Sequence, residues 1–206
     1  MAVLISGEGT NLQAILDGVH GRDGVEVACV AASSAGARGL ERARRAGVAT
    51  GVFDPFAYAS RDERDRALAD WLVERGIDLV VLAGFMQLLA PAFVRAFERR
   101  IINVHPSLLP AFPGLRAIEQ ALEYGVRLTG VTVHYVDEGV DTGPVILQEA
   151  LDLSYPPDIA SIEHSVHEIE HRLLPRAIRL FARGALRIDP ANPRRVLIEE
   201  GRRAHH

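Results

Sequence analysis

The sequence predicts an α/β fold: one domain on a mostly parallel, doubly wound sheet. Three observations carry that prediction. Apolar runs of strand length alternate with segments of helical period. The runs are mostly continuous, as expected of strands covered on both faces. Most of the intervening helices end at or near a glycine, such as Gly47 and Gly76.

In chain order, Ala2–Ile5 reads as a strand and Asn11–Val19 as a helix. Val25–Ala31 and Val48–Phe53 read as strands around a helix over Ala37–Ala46. Asp62–Arg75 is a helix, Leu79–Ala83 a strand, Pro91–Glu98 a helix and Ile101–Val104 a strand. This βαβα rhythm is the doubly wound pattern. It changes after residue 105, where Pro106, Pro110 and Pro113 stiffen a loop. A helix follows over Leu115–Tyr124, then strands over Thr129–Val136 and Val145–Leu153, split by a polar, glycine-bearing loop. A long helix from about Asp158 to Arg183 and a short strand at Ala185–Ile188 precede a polar tail over 191–206. No repeat or linker divides the chain, so residues 1–190 read as one domain with halves at about 1–100 and 101–190.

The 206 residues are 48% hydrophobic and 24% charged, with net charge −4. This balance gives no reason to expect a nucleic-acid surface or an electrostatic membrane anchor. No stretch approaches the ~20 apolar residues of a membrane span. Cys29 is the only cysteine, which excludes a disulfide within the chain and suits a reducing compartment. With no basic region ahead of the first apolar run, a cytoplasmic location is expected. His205 and His206 read as a tag remnant and are set aside.

The segment Ser6-Gly-Glu-Gly-Thr-Asn11 turns the first strand into the first helix. A dinucleotide fingerprint would need glycine at position 12, which is Leu12, and a P-loop needs a lysine, of which the chain has none. Gly7 and Gly9 permit a tight turn and close approach of backbone N–H groups to an anion. Thr10 and Asn11 add polar groups at the cap. A phosphate monoester fits better than a pyrophosphate, and a simply capped turn is the alternative. Asn103 and His105 end an apolar strand, and period two puts them on one face with Val104 on the other. At the carboxyl end of a parallel strand, an amide and an imidazolium aimed one way can hold an oxygen that becomes negative. An isolated N-x-H is equally a capped strand end.

Two further stretches bear on this choice. "INVHPSLLPAFPGLRA" runs from Ile102 to Ala117, and "GVTVHYVDEGVDTGPVILQ" from Gly130 to Gln148. With "LISGEGTNLQAI", "GLERARRAGV" and "VVLAGFMQLL", they make nearly the whole chain resemble the folate-dependent formyltransferases. The resemblance implies the formyltransferase fold with a Rossmann-like N-terminal half that binds phosphoribose, and a second half that holds the folate and the chemistry. It implies transfer of the formyl group of 10-formyltetrahydrofolate to the amine of glycinamide ribonucleotide in purine synthesis, by a monomer or homodimer. By match to the family's motifs, Asn103, His105 and Asp141 are the catalytic trio, with His134 supporting. Gly9, Thr10, Asn11, Arg61 and Glu170 would contact the ribonucleotide, Gly9 to Asn11 at its phosphate. The folate would lie along Leu82, Phe85, Met86, Gln87, Leu88, Leu89 and Val94, and reach Asn103 and the loop Glu138, Gly139, Val140, Asp141. Gln87 stands where better-known members carry a basic residue. Ala111 replaces a lysine, and Arg116-Ala117 a histidine-containing pair.

The implied mechanism is direct attack of the amine on the formyl carbon. Asn103 and protonated His105 would stabilise the oxyanion, while Asp141 would orient the imidazole, favour its charged form and pass a proton through water to the departing folate nitrogen.

"HEIEH", His167 to His171, fits the zinc motif H-E-x-x-H. The metzincin spacing fails at Leu174, and a third ligand would have to come from Glu199 or Glu200 in the tail. The stripe Ile162, Val166, Ile169, Leu173 accounts for the segment as a packed amphipathic helix, so no metal is expected. Pro175 is expected to disturb that helix. An initiator-tRNA formyltransferase and a formyltetrahydrofolate hydrolase are disfavoured because they usually carry an extra domain. A non-catalytic phosphoribose-binding module would leave the trio idle.

Overall fold

A computed structural model describes residues 1–199; Glu200, His205 and His206 lie outside them. The elements are β1 (Ala2–Ile5), α1 (Thr10–Gly18), β2 (Cys29–Ala32), α2 (Gly39–Arg45), β3 (Ala49–Val52), α3 (Arg61–Val73), β4 (Val80–Leu82), α4 (Pro91–Ala96) and β5 (Ile101–His105). They continue with α5 (Ala117–Tyr124), β6 (Leu128–Tyr135), β7 (Val145–Asp152), α6 (Ile159–Ala182), β8 (Leu186–Asp189) and β9 (Asn192–Ile198).

The strands form one sheet in the order β3-β2-β1-β4-β5-β6-β7-β9-β8. Strands β1 to β5 run parallel to one another, β6 runs antiparallel to β5 and β7, and β8 antiparallel to β9. Strand β1 shows why the apolar runs are continuous. Val3 and Ile5 enter the core under α1, α2 and α6, while Ala2 and Leu4 enter the core under α3 and α4. Both faces are dry, so neither can be polar. The chain order reverses between β1 and β4, and a crevice outside the carboxyl ends of such strands is where doubly wound sheets take ligands.

The boundaries differ instructively. Val25 and Val27 are buried, but Val25 makes only an isolated antiparallel bridge to Arg22, so β2 starts only at Cys29. Leu115 is exposed and Arg116 has a left-handed φ of 60°, which delays α5 to Ala117. Helix α6 runs unbroken through Pro175, whose ring packs against Gly18 of α1. Residues 192–198, read as polar tail, are a strand. Its arginines point to solvent while Val196 packs against the core, and pairing to β7 and β8 supplies what local sequence does not.

Candidate active site

Strands β5 and β6 bring the first polar groups together. Asn103 and His134 are direct cross-strand partners, and the Asn103 Nδ2 lies 3.2 Å from His134 Nε2. His134 Nδ1 donates to the Tyr135 carbonyl at 2.8 Å, which turns Nε2 toward Asn103 and Asp141. A register shift in the β6–β7 pairing between Val133 and His134 marks this point, a device common beside active sites.

Beyond β6 the chain turns back. Asp137 accepts from Gly139 N–H and from the Thr142 hydroxyl, and any Cβ at Gly143 would sit 1.7 Å from the Tyr135 carbonyl oxygen. Only glycine permits that closeness. The turn delivers Asp141 with a left-handed φ of 52°, strain of a kind that persists where the surroundings over-determine a residue. Asp141 Oδ1 accepts from Asn103 Nδ2 at 3.3 Å, and Oδ2 from Gly114 N–H at 2.8 Å. His105 Nδ1 lies 3.4 Å from Oδ2, and His134 Nε2 3.6 Å from Oδ1. Burial works against charge on Asp141. The His134 contact, the Gly114 N–H and the nearby imidazoles outweigh it and hold the carboxyl below the ordinary carboxylate value.

His105, itself buried, has its second nitrogen on the other side: Nε2 donates to the Phe112 carbonyl at 2.9 Å. Both ring nitrogens therefore face acceptors, an arrangement that the doubly protonated ring satisfies fully. The loop that supplies Phe112 and Gly114 is pinned from β6 and β7. Thr132 Oγ1 donates to Ser107 O and accepts from Leu109 N–H, and Gln148 Nε2 donates to Leu109 O.

The opening loop lies further along the same sheet edge. Ser6 Oγ accepts from Met86 N–H, and Ser6 N–H donates to Gly84 O, joining it to the segment after β4. Gly9 caps α1 with a left-handed φ of 72°, and no side chain caps the helix. The first α1 N–H groups are thus left without a side-chain acceptor. A Cβ on Gly9 would meet Gly39 Cα at 2.6 Å, whereas one on Gly7 would meet nothing within 4 Å. Gly9 is a glycine because α2 packs on it. Asn11 Nδ2 donates to Glu170 Oε2 of α6 at 2.9 Å, and Asn11 Oδ1 has no partner among the described residues. Burial raises the Glu170 pKa, against opposing effects of Asn11 and His167.

Between these ends, Leu82 and Val94 are buried while Met86 and Leu88 are exposed at the rim. Phe85 and Leu89 pack beside that core, and Glu138 reaches Arg95 of α4 at 2.7 Å, with Gly139 and Val140 following it toward Asp141. Arg61 stands exposed at the first turn of α3, with no partner among the described residues. Thr10 opens α1, half-buried. In HEIEH, His167 and His171 stack at 6.2 Å, and Glu168 lies 3.6 Å from His164. Among the described residues no three His, Cys, Asp or Glu side chains converge as a metal site.

Sequence reasoning missed Phe112 and Gly114, which act through backbone groups and carry no side-chain signature. It also missed Arg64 and Asp65 of α3, buried together beside Gln87 and Leu88. A signal existed. Stepping back one turn from the buried Leu68 lands on residues 64 and 65, charged positions on an apolar face.

Residues 1–178 match the family described as formyl transferase. The trifunctional purine biosynthetic protein adenosine-3 of Gallus gallus is 44% identical over 93% of this chain, which spans 19% of that protein. The phosphoribosylglycinamide formyltransferase of Haemophilus influenzae is 41% identical over 91% of this chain and 89% of that protein. The crystal structure of glycinamide ribonucleotide transformylase 1 from Symbiobacterium toebii superposes with a TM-score of 0.91 at 54% identity, covering 96% of this chain and 92% of that one.

Proposed function

Because the chain belongs to the formyl transferase family, we propose that it transfers the formyl group of 10-formyltetrahydrofolate to the amine of glycinamide ribonucleotide. The observation that carries this reading is the meeting of Asn103, His105 and Asp141 at the carboxyl end of β5, with Asp141 within 3.4 Å of the imidazole and 3.3 Å of the amide.

The substrate amine attacks the formyl carbon, and the carbonyl electrons move to oxygen. Asn103 Nδ2 and the protonated His105 donate to that oxyanion. Both already donate to protein acceptors, so the formyl oxygen takes over the His105 bond to the Phe112 carbonyl and an Asn103 bond. Asp141, ionised at neutral pH, stabilises the imidazolium and relays the surplus amine proton through water to the folate nitrogen as the C–N bond breaks. Gly9, Thr10 and Asn11 receive the phosphate at the α1 N-terminus. Glu170 meets the ribose hydroxyls, and Arg61 approaches the same substrate. The folate lies along Leu82, Phe85–Leu89 and Val94 to the loop Glu138–Asp141.

The test is turnover: incubate the protein with both substrates and follow the deformylated folate. No release under any condition sinks the reading and favours a binding module. No described helix is long and apolar enough to cross a membrane, and small molecules are the partners this reading requires.

A further inference from the structure

We infer that the buried pair Arg64 and Asp65 is a positioning device for the lip of the folate cleft, an inference that rests on the proposed function. Both side chains come from adjacent positions of α3 and point inward, with side-chain exposures of 3% and 1%. Such a pair rarely earns its place through stability, because desolvating two charges offsets most of their attraction. What distinguishes this one is where its remaining bonds go.

Asp65 Oδ1 accepts from Arg64 Nε at 2.7 Å, and the other carboxylate oxygen accepts from the Ala90 N–H. Arg64 Nη2 donates to the Leu88 carbonyl at 2.9 Å, and Nη1 to Gln87 Oε1 at 3.3 Å. One ion pair therefore grips residues 87, 88 and 90, a segment with no regular secondary structure. Residues 84–90 join β4 to α4, and their backbone polar groups have no ladder to satisfy them. Leu88 lies 61% exposed at the rim with its carbonyl held by a buried cation. The grip on Gln87 Oε1 also fixes the side-chain amide, so that its N–H₂ is the end left for a ligand acceptor. The charge itself stays spent on Asp65, Gln87 and Leu88. Arg64 and Asp65 act on the folate only through the lip.

The experiment compares wild type, Asp65→Asn, and the double variant Arg64→Met/Asp65→Leu. The double variant removes both charges at similar volume, so no uncompensated buried ion remains and the fold should survive. Affinity for 10-formyltetrahydrofolate is read by titration, KM for each substrate by steady-state turnover, and order of the lip by amide exchange at Leu88 and Ala90. In the double variant the folate Kd and KM should rise roughly tenfold, the equivalent of one lost hydrogen bond to a charged group. The KM for glycinamide ribonucleotide should stay within about twofold, since sites without shared partners act independently. Exchange at Ala90 should quicken in both variants. Folate affinity and Ala90 protection equal to wild type in the double variant would overturn the inference. So would equal loss for both substrates, which marks a fold element alone. If wild type binds folate without turning over, the proposed function fails and the titration still decides the inference. If it binds no folate, both fail.

Discussion

The two ends of the sheet edge treat their polar groups in opposite ways. At the β5–β6 end the two histidines and the carboxylate are held by protein partners: Asp141 by Asn103 and Gly114, His105 by Phe112 and Asp141, His134 by Tyr135 and Asn103. At the β1–α1 end the helix lacks a side-chain cap, Gly7 faces open space, and Asn11 Oδ1 has no partner among the described residues. The difference teaches what each end is for. Groups that must meet a transition state are held in position by protein partners, two of whose bonds the formyl oxygen then takes over. Groups that grip a substrate leave polar atoms unclaimed, because the substrate completes them. Changes at β5–β6 should therefore act on turnover, and changes at β1–α1 on affinity.

The sharpest way to break this contrast is Asp141→Asn. Asparagine tolerates the left-handed φ of 52° at this position. It also keeps an acceptor for Asn103 or Gly114, so the loop should hold. It loses the charge facing both imidazoles. The turnover number should fall by roughly two to four orders of magnitude, with affinities for both ligands kept within a few-fold. The wild-type carboxyl is held below its ordinary value, and the sign follows. Its stabilising contribution is full above the unfolded carboxyl's pKa of 3.8 and vanishes as pH falls through the lower folded value. Wild type and variant should thus converge in stability only in strong acid. Near wild-type turnover in a steady-state assay would make Asp141 a turn residue and dissolve the contrast.

Glycines sharpen the other side. Gly9→Val places a Cβ against Gly39 Cα at 2.6 Å with a left-handed backbone. It should destabilise the fold by about 1–3 kcal/mol, and so cannot report on phosphate. Gly7→Ala meets nothing within 4 Å and leaves packing intact. If Gly7 is the close-approach position, its methyl should raise the Kd of the phosphorylated substrate by roughly tenfold and leave the folate Kd unchanged. Calorimetric titration of both ligands separates these outcomes, and equal weakening of both would erase the division between the ends.

How much of this was legible in the sequence follows the same division. The doubly wound sheet was readable because burial on both faces writes continuous apolar runs, and Asn103 and His105 sharing a face followed from strand alternation. That both would reach one carboxylate was not readable, because it depends on a left-handed residue in a loop held by Asp137 and Gly143. The role of Gly9 was readable only in part. Its positive φ belongs to the turn, but the α2 backbone that forbids a side chain there lies thirty positions on. Strand β9 escaped because Arg194 and Arg195 mask a strand that pairing, not local preference, creates. Arg64 and Asp65 were masked likewise, by the solvent-facing charges around them in α3.

The mildest test is Glu170→Gln, and it reads the β1–α1 end through stability. Glu170 is 6% exposed and accepts a hydrogen bond from Asn11 Nδ2. Burial raises its pKa above 4.5, with Asn11 and then His167 working the other way. The native state therefore holds the proton more tightly than the unfolded chain does. That contribution is full below the unfolded value and is lost as pH rises through the folded one. Glutamine keeps the acceptor for Asn11, adds an N–H₂ for a buried acceptor such as Asn11 Oδ1, and does not ionise. The variant should melt with wild type near about pH 4.5 and above it at about pH 8, each kcal/mol amounting to roughly 2–4 °C for a chain of this size. The gain should cost function. An ionised, under-bonded carboxylate is what ribose hydroxyls can satisfy, so the Kd for glycinamide ribonucleotide should rise while turnover at saturation holds. A melting difference independent of pH would mean that Glu170 is charged at no expense, and that this end is as fully partnered as the other.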